Sequence, residues 1–202
     1  LNITEAPSGL VPGESYGDGI YIGSGSPTPT DIYLSDIVST SHDRHGLFIV
    51  ACNGITVERC TFGSTLYTAM NLEPNGSSEV IRNLTVRDCY IQDSPVGLTS
   101  NNHYLGHWYN ILWDRCHFRR NTEYGAYCGL ANSYTDNYVF RDCLFYENGD
   151  TGLYVIGARW TVRGGATYDN GGAGLYAYTP KFFIVDGFNA YRNGGHGIQL
   201  EQ

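Results

Sequence analysis

Hydrophobic and polar positions divide the chain into short apolar runs of strand length, each opened by a small residue and followed by turn residues. The runs are "GIYIG" at Gly19, "GLFIV" at Gly46, "AMNLE" at Ala69, "GLTSN" at Gly97, "GAYCG" at Gly125, "GLYVI" at Gly152, "GLYAY" at Gly174 and "GIQLE" at Gly197. The step between them ranges from 22 residues (Gly152 to Gly174) to 28 (Ala69 to Gly97). Apolar and polar residues alternate within them, the period of a strand and not of a helix. A second pattern recurs inside each step. "ITVERCTF", "LTVRDCYI", "ILWDRCHF" and "YVFRDCLF" place Cys60, Cys89, Cys116 and Cys143 at one equivalent position, with weaker copies in "WTVRGGATY" and "FIVDGFNAY". A third closes the turn: Asn121, Asn148, Asn170 and Asn193 each stand four residues before the next glycine, three of them as Asn-Gly. Asn and Gly tolerate the left-handed backbone that tight turns require.

Three patterns in one phase, repeating at this length, predict a β-solenoid. Each turn lays its strands on those of the turn before, about 4.8 Å away, and inward Ile, Leu, Val and Phe stack into a continuous core. The expected fold class is all-β, a parallel β-helix of about eight turns over residues 17–202. Residues 1–16 are expected to form an N-terminal cap or lead-in, because an open solenoid end exposes core and unpaired edges. The final "GIQLEQ" begins another turn, so the sequence reads as part of a longer helix.

Composition narrows the function. The chain has 202 residues, 12 Lys+Arg against 20 Asp+Glu, and a formal net charge of -8. No basic stripe is present, which argues against a nucleic-acid partner. No run approaches the roughly 20 apolar residues of a membrane span. The six cysteines lie mostly at equivalent inward positions and read as free, buried thiols; a disulfide framework is the alternative. No CxxC pair is present, so no metal site is expected.

Alternation along the recurrent strand identifies its outward residues. One row holds Tyr21, Phe48, Tyr127, Tyr154 and Tyr176, interrupted by Asn71 and Thr99. Aromatic rings stack on the apolar faces of sugars and tyrosine adds a polar tip, so this row is expected to bind an extended polysaccharide. Subunit contact and plain stiffening of the solenoid are the structural alternatives. At the polar centre, Glu73 is the candidate for chemistry, with Asn101 beside it on the next turn and His103 just beyond. Such a group can hold a sugar hydroxyl or transfer a proton. A calcium ion is chemically admissible there, but no ligand spacing supports one, and no cofactor is expected. "HDRHG", from His42 to Gly46, is a second polar cluster, in which Arg44 suits a uronate carboxylate. Asp43 aligns with Leu66, seven residues short of Glu73, so Asp43 and Glu73 are not expected to form a glycosidase pair.

Over about residues 17–202 the chain resembles the right-handed parallel β-helix proteins of the pectate-lyase-like superfamily, of the polysaccharide-degrading and phage-tailspike type. "GDGIYIG", the cysteine-bearing strands and the "NGG.GL" turns carry the resemblance, and "MNLEPNG" is similar to a "GID.EPN" signature of some members. Asn71 stands where the aspartate of that signature usually does. The resemblance implies a right-handed helix and a location outside the cell, on the cell surface or on a virion. It also makes Arg44 eligible as the base that takes the sugar C5 proton in lyases. The function expected from residues and resemblance together is a polysaccharide-binding and polysaccharide-cleaving β-helix, a lyase or a glycoside hydrolase. The alternative is a non-catalytic structural or receptor-binding spike or surface-fibre module, as a homotrimer.

Overall fold

The computed structural model describes residues 2–4, 17–23, 28–100, 106–129, 134–157 and 159–202. The chain winds as a right-handed parallel β-helix. Successive strands pass in turn to three sheets, and each strand pairs in parallel with its equivalents one turn away. Sheet A has eight strands, from Asn2–Thr4 to Asn189–Tyr191; sheet B has eight, from Ile20–Ile22 to Ile198–Glu201; sheet C has seven, from Thr30–Ser35 to Phe182–Asp186. The "about eight turns" of the sequence reading correspond to these sheets. Among the described residues there is no helix long and apolar enough to cross a membrane. Most of the N-terminal segment read as a cap lies outside the described residues.

The core is built from register. On sheet C, Val57, Val86, Trp113, Phe140 and Val162 pair in sequence, and on sheet A so do Phe62, Ile91, Phe118 and Phe145. All nine are buried. The Phe118 and Phe145 rings stack at 4.8 Å. Stacking like on like keeps each layer filled at constant cross-section, as close-packing of a solenoid interior requires. The cysteines are all free and buried. Burial pushes the Cys52 thiol up to about 12, and that of Cys116 well above its ordinary value, so these thiols pack as small apolar groups.

Between sheets A and B a buried polar ladder fixes the corner. Asn121 Nδ2 donates to Asn148 Oδ1 at 2.9 Å, Asn148 to Asn170 at 2.8 Å, and Asn170 to Asn193 at 2.8 Å. Ser94 and Thr65 continue it in earlier turns, where Ser94 N–H donates to Asn121 Oδ1 and Thr65 Oγ1 to Ser94 Oγ. This ladder explains the glycine that opens the runs at Gly97, Gly125, Gly152 and Gly174, each of which would press a Cβ against the Nδ2 of a ladder asparagine. A Cβ on Gly125 would stand 2.4 Å from the Gly152 carbonyl oxygen and 2.8 Å from Asn148 Nδ2. Ala69 is tolerated where the ladder residue of the next turn is the shorter Ser94.

The acidic residues that end two of the sheet-C strands are not solvated: Glu58 and Asp114 are only 4% and 3% exposed. Arg87 and Arg59 cover Glu58, and Arg141 and Arg115 cover Asp114. The Tyr33 hydroxyl, Arg87 and Arg59 hold the Glu58 carboxyl down at about 2.

Candidate functional site

Sheet B carries the row anticipated from the sequence. Its Cα register runs Tyr21, Phe48, Asn71, Thr99, Tyr127, Tyr154, Tyr176 across seven consecutive strands. The row divides into two chemically different halves.

In the first half a polar group closes over the sheet. Phe48 and Asn71 are only 5% and 4% exposed. The Arg44 guanidinium lies 5.0 Å from the centre of the Phe48 ring, and its Nε is 3.7 Å from Asp18 Oδ1. Burial raises the Asp18 carboxyl, against the pull of Arg44. Tyr21, more than half exposed, meets Phe48 edge-on at 5.4 Å. Asn71 Nδ2 donates to Glu73 Oε2 at 2.8 Å and lies 3.4 Å from His45 Nε2. Glu73 itself is set at the strand end, its N–H donating to the Ile49 carbonyl at 3.0 Å, with Pro74 ending the strand. Thr68 and Thr99 hydroxyls meet at 3.2 Å beside the group.

His45 is the member that sequence reasoning did not single out. Its Nδ1 lies 3.2 Å from the Thr68 carbonyl. A carbonyl can only accept, so Nδ1 carries the proton and Nε2 is left as an acceptor facing the Asn71 amide. Burial, helped by the Arg44 charge, pushes the imidazole down to about 4, which keeps it neutral at physiological pH. Strict alternation from Phe48 would have assigned His45 to the interior. The alternation breaks because two successive residues face inward at each run's opening: Gly46, whose Cβ would stand 3.3 Å from Phe62 Cβ, and then fully buried Leu47. The residue before the small one therefore joins the outer face. Val50 and Ile156, two residues beyond Phe48 and Tyr154 and so outward by alternation, are only 0% and 8% exposed.

Among the described residues two buried polar atoms of this group, Asn71 Oδ1 and Asp18 Oδ1, have no hydrogen-bond partner. Such an atom costs free energy unless something supplies a donor. Asn101 and His103 lie outside the described residues, so the structure places neither.

The second half is aromatic. Tyr127 and Tyr154 stack nearly parallel at 5.0 Å, and Tyr176 meets Tyr154 edge-on at 4.7 Å. A ring paired in this way presents its edge and hydroxyl outward, with much of its face covered by its neighbour.

Sheet C has a feature absent from the sequence reading, an open groove of about 430 Å³ whose lining includes Asn83, Asn110, Asn137, Arg141 and Arg163. Its signal was present in the repeats. Asn83, Asn110 and Asn137 each stand six residues before a ladder cysteine (Cys89, Cys116 and Cys143). Among the described residues no group of three or more His, Cys, Asp or Glu is arranged to hold a metal ion.

Comparison with known proteins agrees with the architecture. Residues 105–202 match the family described as right handed beta helix region. Two solved structures are similar in fold, both A-modules of mannuronan C-5 epimerases from Azotobacter vinelandii. That of AlgE6 superposes with a TM-score of 0.52 at 12% identity, over 85% of this chain and 45% of its own. That of AlgE4 gives 0.50 at 12%, over 82% and 53%. The chain thus spans about half the length of these structures. A comparison with curated proteins gives no match. By family match and by structure, this chain is a right-handed parallel β-helix.

Proposed function

We propose that this chain acts on a polysaccharide, binding an extended uronate-bearing chain across sheet B and transferring a proton at the Arg44–His45–Asn71–Glu73 group. The observation that carries the reading is the hydrogen-bonded sequence His45–Asn71–Glu73 beside an arginine, with the buried Asn71 Oδ1 lacking a donor among the described residues. A sugar hydroxyl would supply that donor. Arg44, half-buried and reaching over Phe48, suits the uronate carboxylate, because a guanidinium pairs with a carboxylate through two parallel N–H donors. Neutralising that carboxylate makes the neighbouring C5 proton easier to remove. Glu73 is the group placed to move a proton. In elimination the C5–H electron pair forms the new C4–C5 double bond, the C4–O bond breaks, and the leaving oxygen takes a proton. The similar A-modules belong to enzymes that, by name, act at C-5 of mannuronan.

Hydrolysis by two carboxylates has less support. By register Asp18 aligns with Thr68 and Asp43 with Leu66, five and seven residues upstream of Glu73. At about 3.3 Å per residue both separations exceed the roughly 5–9.5 Å of a glycosidase pair. The rival reading, a non-catalytic spike or fibre module, has one observation in its favour: Glu73 and Asn71 already bind one another. Turnover of acidic and neutral polysaccharides by wild type and Glu73→Gln decides between them. Unsaturated product from wild type alone supports proton transfer at Glu73. New reducing ends without unsaturation support hydrolysis, and silence on every substrate supports the spike.

A further inference from the structure

We propose that the outer face of sheet C is a second glycan-binding groove, for an extended acidic polysaccharide, separate from the sheet-B group. It is a different face of the helix, and binding there does not depend on catalysis.

One wall is a ladder of exposed amides. Asn83 Nδ2 donates to Asn53 Oδ1 at 2.8 Å, Asn110 to Asn83 at 3.0 Å, and Asn137 to Asn110 at 3.1 Å. Asn83, Asn110 and Asn137 all adopt left-handed backbone, with φ of 55, 54 and 56°. Gly54 holds the equivalent place a turn earlier, with φ of 83°. Left-handed backbone at one place in four successive turns holds these amides in a single column. Each middle amide spends one N–H and one carbonyl lone pair on its neighbours. A second N–H and a second lone pair remain for a ligand. The floor is Thr85, Leu112 and Val139, in register and half-buried, a surface of methyl groups with one hydroxyl.

The other wall carries charge. Arg141 and Arg163 are register partners on adjacent strands. Arg141 is held by Asp114 at 2.7 Å. Arg163 is exposed, and among the described residues no carboxylate pairs with it, whereas Arg59, Arg87, Arg115, Arg120 and Arg192 each have one. The groove therefore combines repeated hydroxyl-binding amides, a floor suited to C–H faces, and a guanidinium open to an anion. The rungs recur about every 4.8 Å, close to the advance of one pyranose in an extended 1,4-linked chain. A polysaccharide lying along the axis would meet one amide per sugar and place an acidic group at Arg163.

The experiment is calorimetric titration of Glu73→Gln protein, in which turnover at the proposed site is blocked, with a uronate hexasaccharide and with the same sugar after reduction of its carboxyl groups. Arg163→Gln and Asn110→Gly are placed on that background; glycine accepts the left-handed backbone while removing the amide. Expected are a binding event with the acidic sugar that survives Arg44→Ala, weakens about tenfold or more in Arg163→Gln, and weakens in Asn110→Gly, with weaker binding of the reduced sugar. An event lost in Arg44→Ala and unchanged by both groove substitutions overturns the proposal. So does equal binding of the reduced sugar, or no binding by a folded protein. Because catalysis is not read, failure of the sheet-B mechanism leaves this result interpretable.

Discussion

Asn71 Nδ2 donates to Glu73 Oε2 at 2.8 Å across two positions of one strand, so these residues act as one unit on the outer face of sheet B. The amide fixes the carboxylate at the strand end and touches His45 on the preceding turn. Asn71→Asp places a second carboxylate beside the first, and two acids in contact cannot both ionise easily. The acid limb of the activity–pH profile is expected to move up by about one pH unit or more. Asn71→Ala should instead lower kcat by about 10–100-fold with little movement of that limb. An unmoved limb in Asn71→Asp together with an unchanged kcat in Asn71→Ala would remove Asn71 from the site.

His45 makes stability pH-dependent in a defined window. Its imidazole is pushed down from 6.5 to about 4 in the folded chain. Between those values the unfolded chain takes up a proton that the folded chain refuses. Stability is therefore full above pH 6.5 and falls as pH drops towards 4, by about 3 kcal/mol if no other group compensates. Urea melts at pH 7.5 and pH 4.5 should show the loss, and His45→Gln should reduce it. An identical pH dependence in the variant would show that the acid sensitivity lies elsewhere.

Much of this arrangement was readable before folding. The Tyr21–Phe48–Asn71–Thr99–Tyr127–Tyr154–Tyr176 register followed from the glycine and cysteine repeats, because a parallel solenoid keeps sequence phase as spatial phase. The separation of Asp43 from Glu73 followed in the same way. His45 did not, since the double inward step at Gly46 and Leu47 breaks alternation and comes from packing against the sheet-A side chain Phe62. Nor did the burial of Glu58 and Asp114, which depends on arginines one turn away. A local "ER" or "DR" pair reads as solvated until the neighbouring turn is in place.

The corner ladder should be sensitive to single methyl groups. Gly125→Ala drives a Cβ against the Gly152 carbonyl and the Asn148 amide, and backbone atoms there cannot move aside without breaking rungs. A loss of about 3 kcal/mol or more is expected, in the range of severe overpacking. Ala69→Gly, at the equivalent place beside the shorter Ser94, should cost only about 1 kcal/mol through backbone entropy. Asn148→Ala leaves the buried Asn121 amide and N–H without their acceptor and should cost about 3 kcal/mol. Urea denaturation ranks the three. A mild Gly125→Ala would mean that the corner relaxes and that its glycines are not imposed by the ladder.

The aromatic half of the row admits the sharpest separation of binding from stiffening. Tyr127, Tyr154 and Tyr176 form one contact series on sheet B. Tyr146, Tyr168 and Tyr191 form another on sheet A, stacked at 5.0 and 5.1 Å. Both series stiffen the helix, so substitution in either should lower stability by a similar amount, about 1 kcal/mol for the lost ring pairing. Only the sheet-B series adjoins Asn71 and Glu73. If a polysaccharide crosses sheet B, Tyr154→Ala should weaken oligosaccharide binding about tenfold, or about 1.4 kcal/mol, while Tyr168→Ala leaves affinity unchanged. Calorimetric titration of both variants, each checked by thermal melting, makes the comparison. Equal affinity in the two, with equal loss of stability, would assign the sheet-B tyrosines to structure and confine recognition to the polar half of the row.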